Sequence, residues 1–390
     1  MLNMVRGDLM NILITVATYY PKKDGVQMVT QYLAEGLANI YNHNVTIITS
    51  KCENSPDEEF YNNVKIKRIN LTTKCGLYFG EKDKYKELFK KNCEENDVVI
   101  NVCTQTAFTD LILELIPKIK KKKILYMHGM FDFTFSKYNF SSLRNIINKL
   151  WKQIRWSFYY KKNAENFKYY DEVIQINEKC PGYDFFKEKY NITPKVIKNA
   201  VDDNFFDNKN LKLSKKYAIC VANYLPDKGQ IDTLRAYYQS KDSKSLDMIF
   251  IGSSNTKYYN KLLKVNQKLE RKYGKRNVEF LYNISRSETI EYIKNSYLFL
   301  FNSKYEMYPL SIIECCASGV PFISNDVGCV SSIAGGKIIT NIFEMSKMID
   351  KLCSDKDEYN SLSKAGLKYA KEYAVKKKNI EKLNSILNIK

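Results

Sequence analysis

The chain has 390 residues, of which 44% are hydrophobic, and it contains 20 Phe and 30 Tyr. This composition excludes a disordered or low-complexity protein, and the length is typical of two domains, each with its own core. Lys and Arg number 62 against 43 Asp and Glu, a formal charge of +19. Such a charge points to an anionic partner, whether nucleic acid, an anionic membrane surface or a phosphorylated small molecule.

Residue counts restrict the site types that are available. His43 and His128 are the only histidines, which excludes a metal site built from several histidines. The ten cysteines include no C-x-x-C pair, a pattern typical of free thiols in a reducing cytosol. No apolar run is long enough to span a membrane, and the N-terminus lacks the features of a signal peptide. We therefore expect a cytoplasmic protein, whose residues 1–9 are either a tail or the product of an upstream start.

Short β-branched runs alternate with amphipathic helical patterns twice along the chain. The first series of predicted strands covers 11–17, 45–49, 64–69, 98–102, 124–128 and 172–176. The second series covers 217–222, 247–251, 278–281, 298–301 and 321–324. Strand–helix alternation of this kind predicts an α/β fold with two doubly wound, Rossmann-like domains built on parallel sheets.

A polar break near 201–204, followed by Asn-Lys-Asn at 208–210, separates the two series. We therefore predict an N-terminal domain at 1–200 and a C-terminal domain at 201–371, with a last helix at 372–390 packing back on the first domain. Ligands of open α/β sheets bind at the carboxyl ends of the strands. Two such edges facing one central cleft are the expected location of the site.

The segment 303–321 carries the most specific chemical signal. Pro309 suits the first turn of a helix, where its missing N–H is not needed, and Gly319 suits the left-handed position after the helix end. The amides of Leu310 and Ser311 would then point out of a helix start, a geometry that favours a diphosphate. Glu306 precedes this helix and Glu314 lies within it, eight residues later.

The E-x7-E spacing followed by A-S-G-V-P resembles the donor-site signature of retaining glycosyltransferases of family 4, which have the GT-B fold. Further segments resemble the family in the same order along the chain: the first strand and glycine loop at 11–25, His128-Gly129 at a strand end, 196–202, and 221–229 ending in Lys228-Gly229. Without this resemblance the two glutamates would be interpreted as solvated surface acids and Lys228 as a surface charge.

The resemblance implies a role for each matching residue. It places Lys228 and the helix-start amides on the diphosphate, Glu314 on the ribose hydroxyls and Glu306 on the donor sugar. His128 would contact the sugar or support the departing phosphate, and Gly25 would let the first loop approach the diphosphate. A cation aimed at the leaving group is what breaking a glycosyl–phosphate bond needs. No metal or other cofactor is implied.

Three positions depart from the family pattern. Asn223 stands where the family commonly has Arg, Asp24-Gly25 replaces paired glycines, and Tyr282 follows Phe-Leu where a glycine is usual. Asn223 and Tyr282 remain candidate donor-binding positions, Tyr282 as a surface on which a base stacks.

The segment 144–170 is the densest basic and aromatic stretch. At about 100° per residue, residues 147, 150, 151, 154 and 158 form one apolar stripe, which we interpret as buried core. Trp156 falls on the opposite face with Lys149 and Lys152, a combination typical of an interfacial membrane contact. The alternative is that Trp156 packs under a neighbouring loop.

The sequence thus predicts a retaining glycosyltransferase that takes a nucleotide sugar as donor and a saccharide or lipid-linked saccharide as acceptor, in cell-surface glycan synthesis at the inner face of the membrane. A sugar-nucleotide epimerase on the same fold is the alternative enzyme. No nucleic-acid partner is expected, because no recognised nucleic-acid motif is present and the charge is dispersed. An NAD-dependent enzyme is disfavoured, since no G-x-G-x-x-G follows the first strand.

Overall fold

A computed structural model describes residues 9–22, 24–74, 76–130, 133, 135, 137–140, 142–207 and 216–388. Residues 1–8 of the predicted tail at 1–9 and the polar stretch at 208–210 lie outside the described residues. The chain divides into two compact units, one extending to Lys198 and including Lys377 onward, the other covering Asn199–Lys376. The two are described separately below.

The first unit is built on a sheet whose described strands follow the order β10-β9-β8-β7-β1-β2-β4-β3. Neighbouring strands are parallel, except that β3 runs antiparallel to β4. A separate antiparallel hairpin joins β5 and β6. The strands are β1 (Asn11–Thr15), β2 (Asn44–Ser50), β3 (Glu58–Tyr61), β4 (Val64–Ile69), β5 (Leu71–Lys74), β6 (Leu77–Gly80), β7 (Val98–Val102), β8 (Lys122–Tyr126), β9 (Glu172–Gln175) and β10 (Lys195–Val196).

Helices cover this sheet, which explains why β7 (VVINV) is buried along its whole length. They are α1 (Gly25–Tyr41), α2 (Lys82–Glu95), α3 (Ala107–Asp110), α4 (Leu143–Lys162), α5 (Ala164–Phe167) and α6 (Pro181–Tyr190). The Asp24 side chain caps the start of α1 by accepting a hydrogen bond from the Gln27 amide.

The second unit has a parallel sheet in the order β13-β12-β11-β14-β15-β16 over its described strands. The strands are β11 (Tyr217–Val221), β12 (Asp247–Gly252), β13 (Val278–Tyr282), β14 (Leu298–Phe301), β15 (Phe322–Asn325) and β16 (Gly336–Ile339). Its helices are α7 (Gln230–Gln239), α8 (Lys257–Tyr273), α9 (Arg286–Lys294), α10 (Leu310–Ala317), α11 (Ile342–Ser354) and α12 (Lys356–Tyr373). The α/β class with doubly wound parallel sheets is confirmed, and every predicted strand is present with its ends shifted by a few residues at most.

The last helix, α13 (Lys376–Leu387), belongs almost entirely to the first unit. The Ile380 side chain packs where a Cβ on Gly36 of α1 would lie, 2.2 Å from its Cδ1. His43 Nε2 and Asn384 Oδ1 are 2.8 Å apart in a buried hydrogen bond, and Lys122 Nζ donates to the carbonyl of Ile386 at 2.6 Å. These contacts are both apolar and polar, so the helix is an integral part of the unit.

The orientation predicted for α4 is wrong. Trp156 and Lys149 are both only 7% exposed, whereas Trp151 is 63% exposed and Ile154 is 67% exposed. The buried face is aromatic: Trp156 packs edge-on against Tyr159, and Tyr160 against Phe167 and Phe185. The apolar stripe, which itself includes Trp151 and Phe158, is left outside. Lys152 is exposed as expected, but Trp156 is not available as a membrane contact.

Candidate active site

The candidate site of the second unit lies at the carboxyl edge of its sheet. β11 and β14 are neighbours, and the chain proceeds from β11 to β12 on one side and from β14 to β15 on the other. This is the switch point at which open α/β sheets bind ligands. The loops that follow these two strands carry the Lys228-Gly229 turn and Glu306, respectively.

Lys228 and Glu306 form an ion pair at this point, with 2.7 Å between Nζ and Oε1. Their side chains are 21% and 16% exposed, so the pair is shielded yet still reachable from solvent. The two residues lie 78 positions apart in sequence. The structure thus brings together two residues that the motifs identified separately.

The turn that holds Lys228 requires glycine at its end. Gly229 has φ +68°, and a Cβ on it would lie 1.8 Å from the Asn302 carbonyl oxygen. The loop after β11 therefore lies directly against the end of β14, and a side chain at position 229 would prevent this close contact.

Further hydrogen bonds fix the two loops relative to each other. The Lys304 amide and the Ser303 hydroxyl both donate to the Asp227 carbonyl, at 2.7 and 3.2 Å. Asn325, at the end of β15, donates from its side chain to the Ser303 carbonyl at 2.8 Å. These hydrogen bonds hold the loop that carries Glu306 in a fixed position.

Helix α10 begins just after this loop. Pro309 immediately precedes it, with φ −71° and ψ 106°, so it stands at the cap instead of inside the first turn as predicted. The amides of Leu310 and Ser311 open the helix, and Gly319 adopts the predicted left-handed conformation after its end, with φ +64°. The helix-start geometry that favours anion binding is present in this unit.

Glu314 on α10 is 4% exposed, which rules out its interpretation as a solvated surface acid. Its carboxylate accepts a hydrogen bond from the Arg286 guanidinium at 2.5 Å. Arg286 also stacks over the Phe205 ring, 5.1 Å from its centroid. A buried carboxylate persists only when it is paired in this way.

Arg286 was not predicted as a site residue. Its local signal was the capping box formed by Ser285 and Glu288, in which each side chain bonds the other's backbone and which marks the start of α9. Arg286 is the first residue of that helix, close after the end of β13. Arg286 supplies a cation to this unit. Asn223, at the position where the family pattern described above has an Arg, supplies none and is exposed.

Tyr282, the last residue of β13, lies at the same sheet edge. It is 39% exposed, and its ring packs edge-on against Tyr259 with centroids 5.3 Å apart. Part of the Tyr282 side chain thus stays accessible at this edge of the sheet.

In the first unit, His128 follows β8 at the carboxyl edge of the sheet. Burial lowers the pKa of His128 to about 4, and the nearby Asp24 carboxylate opposes this shift. The imidazole is therefore neutral at pH 7 and stacks on Tyr126, with centroids 5.0 Å apart. Gly25 opens α1 next to Asp24, and among the described residues, apart from its chain neighbours and the backbone of its own helix, no atom lies within 4 Å of the position of a Cβ on it.

A second polar cluster in this unit was not predicted. Asp110 accepts hydrogen bonds from the Tyr78 and Tyr159 hydroxyls and, at 3.0 Å, from the Gln105 amide. Burial raises the pKa of Asp110 to about 6, and the hydrogen bonds lower it only in part. Gln105 has φ +64°, an uncommon conformation for a residue other than glycine. The cluster borders a groove of about 680 Å³ between the β5–β6 hairpin and α4.

Residues 201–369, which include the Lys228–Glu306 and Arg286–Glu314 pairs, match the family model described as glycosyl transferases group 1. The matched residues cover most of the second unit, which spans Asn199–Lys376. The motifs at 221–229 and 303–321 both lie inside the matched residues. Comparison with curated protein sequences gives no match.

The whole chain is similar to solved structures at low sequence identity. A sucrose-phosphate synthase from Thermosynechococcus elongatus has a TM-score of 0.73 at 15% identity, covering 96% of this chain and 98% of that chain. HepE from Anabaena in complex with UDP gives 0.72 at 14% identity, with 97% and 99% covered. A glycosyltransferase from Rickettsia africae gives 0.71 at 15% identity, with 98% of both chains covered. These similarities show that the chain has the GT-B fold.

Proposed function

We propose that the protein is a retaining glycosyltransferase that moves a sugar from a nucleoside diphosphate sugar to a saccharide or lipid-linked saccharide, on the cytoplasmic side, in the synthesis of a cell-surface glycan. The observation that carries the proposal is the Lys228–Glu306 pair, 2.7 Å apart at the switch point of the unit that contains the match to the group 1 family model. The nine described cysteines are all free thiols, which supports a reducing compartment.

The proposed reaction breaks the bond between the anomeric carbon and the diphosphate oxygen. The electron pair stays on the nucleoside diphosphate, the acceptor hydroxyl oxygen bonds the anomeric carbon, and its proton passes to the departing phosphate on the same face. Negative charge therefore develops on the leaving group, where a fixed cation and amide dipoles lower the barrier most. Lys228 and the Leu310 and Ser311 amides would supply these, with no metal required.

Before donor binds, Glu306 neutralises Lys228 directly. We propose that a sugar hydroxyl takes over the Glu306 carboxylate as donor binds, which releases the Lys228 ammonium toward the diphosphate. Glu306 then acts by orienting the sugar. Because retention here needs no enzyme nucleophile, the two glutamates are not the acid–nucleophile pair of a glycosidase.

The nucleotide end would be held by the Arg286–Glu314 pair. Glu314 retains carboxylate lone pairs for the ribose hydroxyls, and Arg286 Nε has no hydrogen-bond partner among the residues described. Tyr282 would stack on the base. Structures of HepE from Anabaena have been solved in complex with UDP and with UDP-glucose, so uridine nucleotides are the first ligands to test here.

His128 enters as a neutral group. With its pKa lowered to about 4, the ring offers one nitrogen as donor and one as acceptor to a sugar hydroxyl, and it adds no positive charge at pH 7. We therefore assign it to the sugar instead of to charge neutralisation at the phosphate.

The test is release of nucleoside diphosphate from UDP-, GDP- and ADP-sugars, after a thermal-shift panel has found the nucleotide that stabilises the chain. Lys228→Ala should lower the rate by about 10²-fold or more, because it removes charge stabilisation at the leaving group. Lys337→Ala is the matched control, since it breaks a pair of similar length (2.6 Å) and exposure in the same unit, with Glu358.

Unchanged turnover in Lys228→Ala would contradict the assigned role. The anomeric configuration of the product, measured by NMR, tests retention. Accumulation of an epimerised nucleotide sugar without any acceptor would favour the epimerase instead. Full activity after chelation of divalent ions is expected.

A further inference from the structure

The outward face of α4 is an unusual apolar surface. Six large side chains are exposed on it: Leu143 (73%), Ile147 (57%), Leu150 (46%), Trp151 (63%), Ile154 (67%) and Phe158 (69%). At about 100° per residue they fall within an arc of roughly 100°, and at about 1.5 Å per residue they extend over roughly 22 Å. Single exposed apolar residues are common, but a continuous stripe of this size marks an interaction surface.

The charge on this helix has one sign. α4 contains no Asp or Glu, whereas Arg144, Lys152, Lys161 and Lys162 are exposed basic residues on it. Arg144, Lys152 and Lys162 fall on one flank of the stripe, at about 100° to 180° from Leu143 on the helical wheel. Apolar and cationic groups are therefore arranged side by side.

The apolar surface continues beyond the helix. The Arg155 guanidinium donates to the Gly76 carbonyl at the tip of the β5–β6 hairpin, so hairpin and helix are adjacent. Leu77 and Phe79 of that hairpin are 54% and 48% exposed. At the other end, Phe140 is 61% exposed just before the helix begins.

We infer that this surface, formed by α4 residues 143–162 with Leu77 and Phe79, binds the interface of an anionic lipid bilayer. The helix would lie parallel to the membrane plane, with the stripe among the upper acyl chains and the basic flank among the lipid phosphates. In the described part of the chain, no helix has the length and apolarity to cross a membrane.

The positive charge beside the apolar stripe of α4 argues against a second copy of this chain as the partner that binds there. Pairing two such faces would bring Arg144, Lys152 and Lys162 of both copies together, with no acidic residue on either helix to compensate them. An anionic surface satisfies the apolar stripe and the basic flank together. This inference does not depend on the proposed transferase activity.

The experiment is flotation of the full chain with vesicles made of equal parts phosphatidylcholine and phosphatidylglycerol, compared with vesicles of phosphatidylcholine alone. We expect binding to the anionic vesicles that weakens at least tenfold in the Trp151→Ser/Ile154→Ser double variant and in Lys152→Glu. Phe60→Ser is the matched control, since Phe60 is 75% exposed in the same unit but lies on β3.

Fluorescence gives a second measurement that does not depend on the double variant. Trp156 is buried, so a blue shift of emission on adding anionic vesicles should come from Trp151 and should vanish in Trp151→Phe. The melting temperature and circular dichroism of these variants without vesicles should be unchanged, which shows that they are folded. Neither measurement requires transferase activity, so this test is separate from that of the proposed function.

The inference is overturned if the chain does not float with anionic vesicles, or if the substitutions on α4 leave binding unchanged. It is also overturned if the chain is a dimer in solution that the Trp151→Ser/Ile154→Ser variant dissociates, because the face would then be a contact between copies.

Discussion

Replacing Arg286 by alanine tests the electrostatic reasoning about the buried Glu314. Unit charges 2.5 Å apart attract by about 2 kcal/mol in a water-like dielectric and by about 7 kcal/mol at an effective dielectric of about 20. The Arg286 side chain is 37% exposed, so solvent screening brings the attraction between the two charges toward the lower value. Since the Glu314 side chain is only 6% exposed and would be left unpaired, we expect the free energy of unfolding of the second unit to fall by about 2 kcal/mol.

A double-mutant cycle isolates this pair. Glu314→Gln combined with Arg286→Ala should cost less than the two single changes added together, because the unpaired charge is gone. The matched control is Arg235→Ala, which removes an exposed pair with Asp232 in the same unit and should cost about 0.5 kcal/mol or less.

Urea unfolding followed by circular dichroism, with and without the nucleotide found to bind, measures these differences. If Arg286→Ala and Arg235→Ala cost the same, or if the double variant costs the full sum, the carboxylate is not held by this pair and the argument fails. Arg286→Ala should also weaken nucleotide binding, whereas Arg235→Ala should not.

Three further predictions concern other parts of the chain. Gly229→Ala should abolish nucleoside diphosphate release and lower the melting temperature, because its Cβ would lie 1.8 Å from the Asn302 carbonyl oxygen; unaltered kinetics would contradict this. Asp110 has a pKa raised from 3.8 to about 6, so the native state binds this proton more tightly than the unfolded state and is stabilised as pH falls from 6 to 4. The Asp110→Asn variant should therefore become more stable relative to the parent as pH rises from 4 to 6, by up to about 1.4 kcal/mol per pH unit. Urea unfolding followed by tryptophan fluorescence measures this difference in stability, and a difference that does not change with pH would refute the prediction. Gly36→Val should destabilise the first unit by about 1–3 kcal/mol in the same assay, since its Cβ would lie 2.2 Å from Ile380 Cδ1, and Ile380→Ala should relieve part of that clash.

Local sequence predicted those parts of the fold that depend on short-range patterns. β14 (LFLF) and β7 (VVINV) are buried along their entire length, so their apolar runs sufficed to identify them. Gly319 was identified because only a left-handed residue ends such a helix readily. The hairpin β5–β6 was missed, since its strands LTTK and LYFG are short and largely unburied.

The pairs of the site depend on tertiary contacts that spacing does not encode. Lys228 and Glu306 were each singled out by motifs, but their contact joins two loops 78 residues apart. Arg286 was missed because its importance comes from Glu314, 28 residues away. On α4, periodicity identified two faces correctly, yet it does not say which of them the rest of the chain covers.

The position of α13 has a consequence for how the protein is made. The first unit needs Ile380 against α1 and Asn384 against His43, and the ribosome synthesises both residues only after the whole second unit. Although domains made first usually fold first, this one must wait as an unfinished intermediate while the second unit emerges. The order of completion is thus opposite to the order of synthesis, and a fragment ending before α13 would leave the first unit without the helix that closes it.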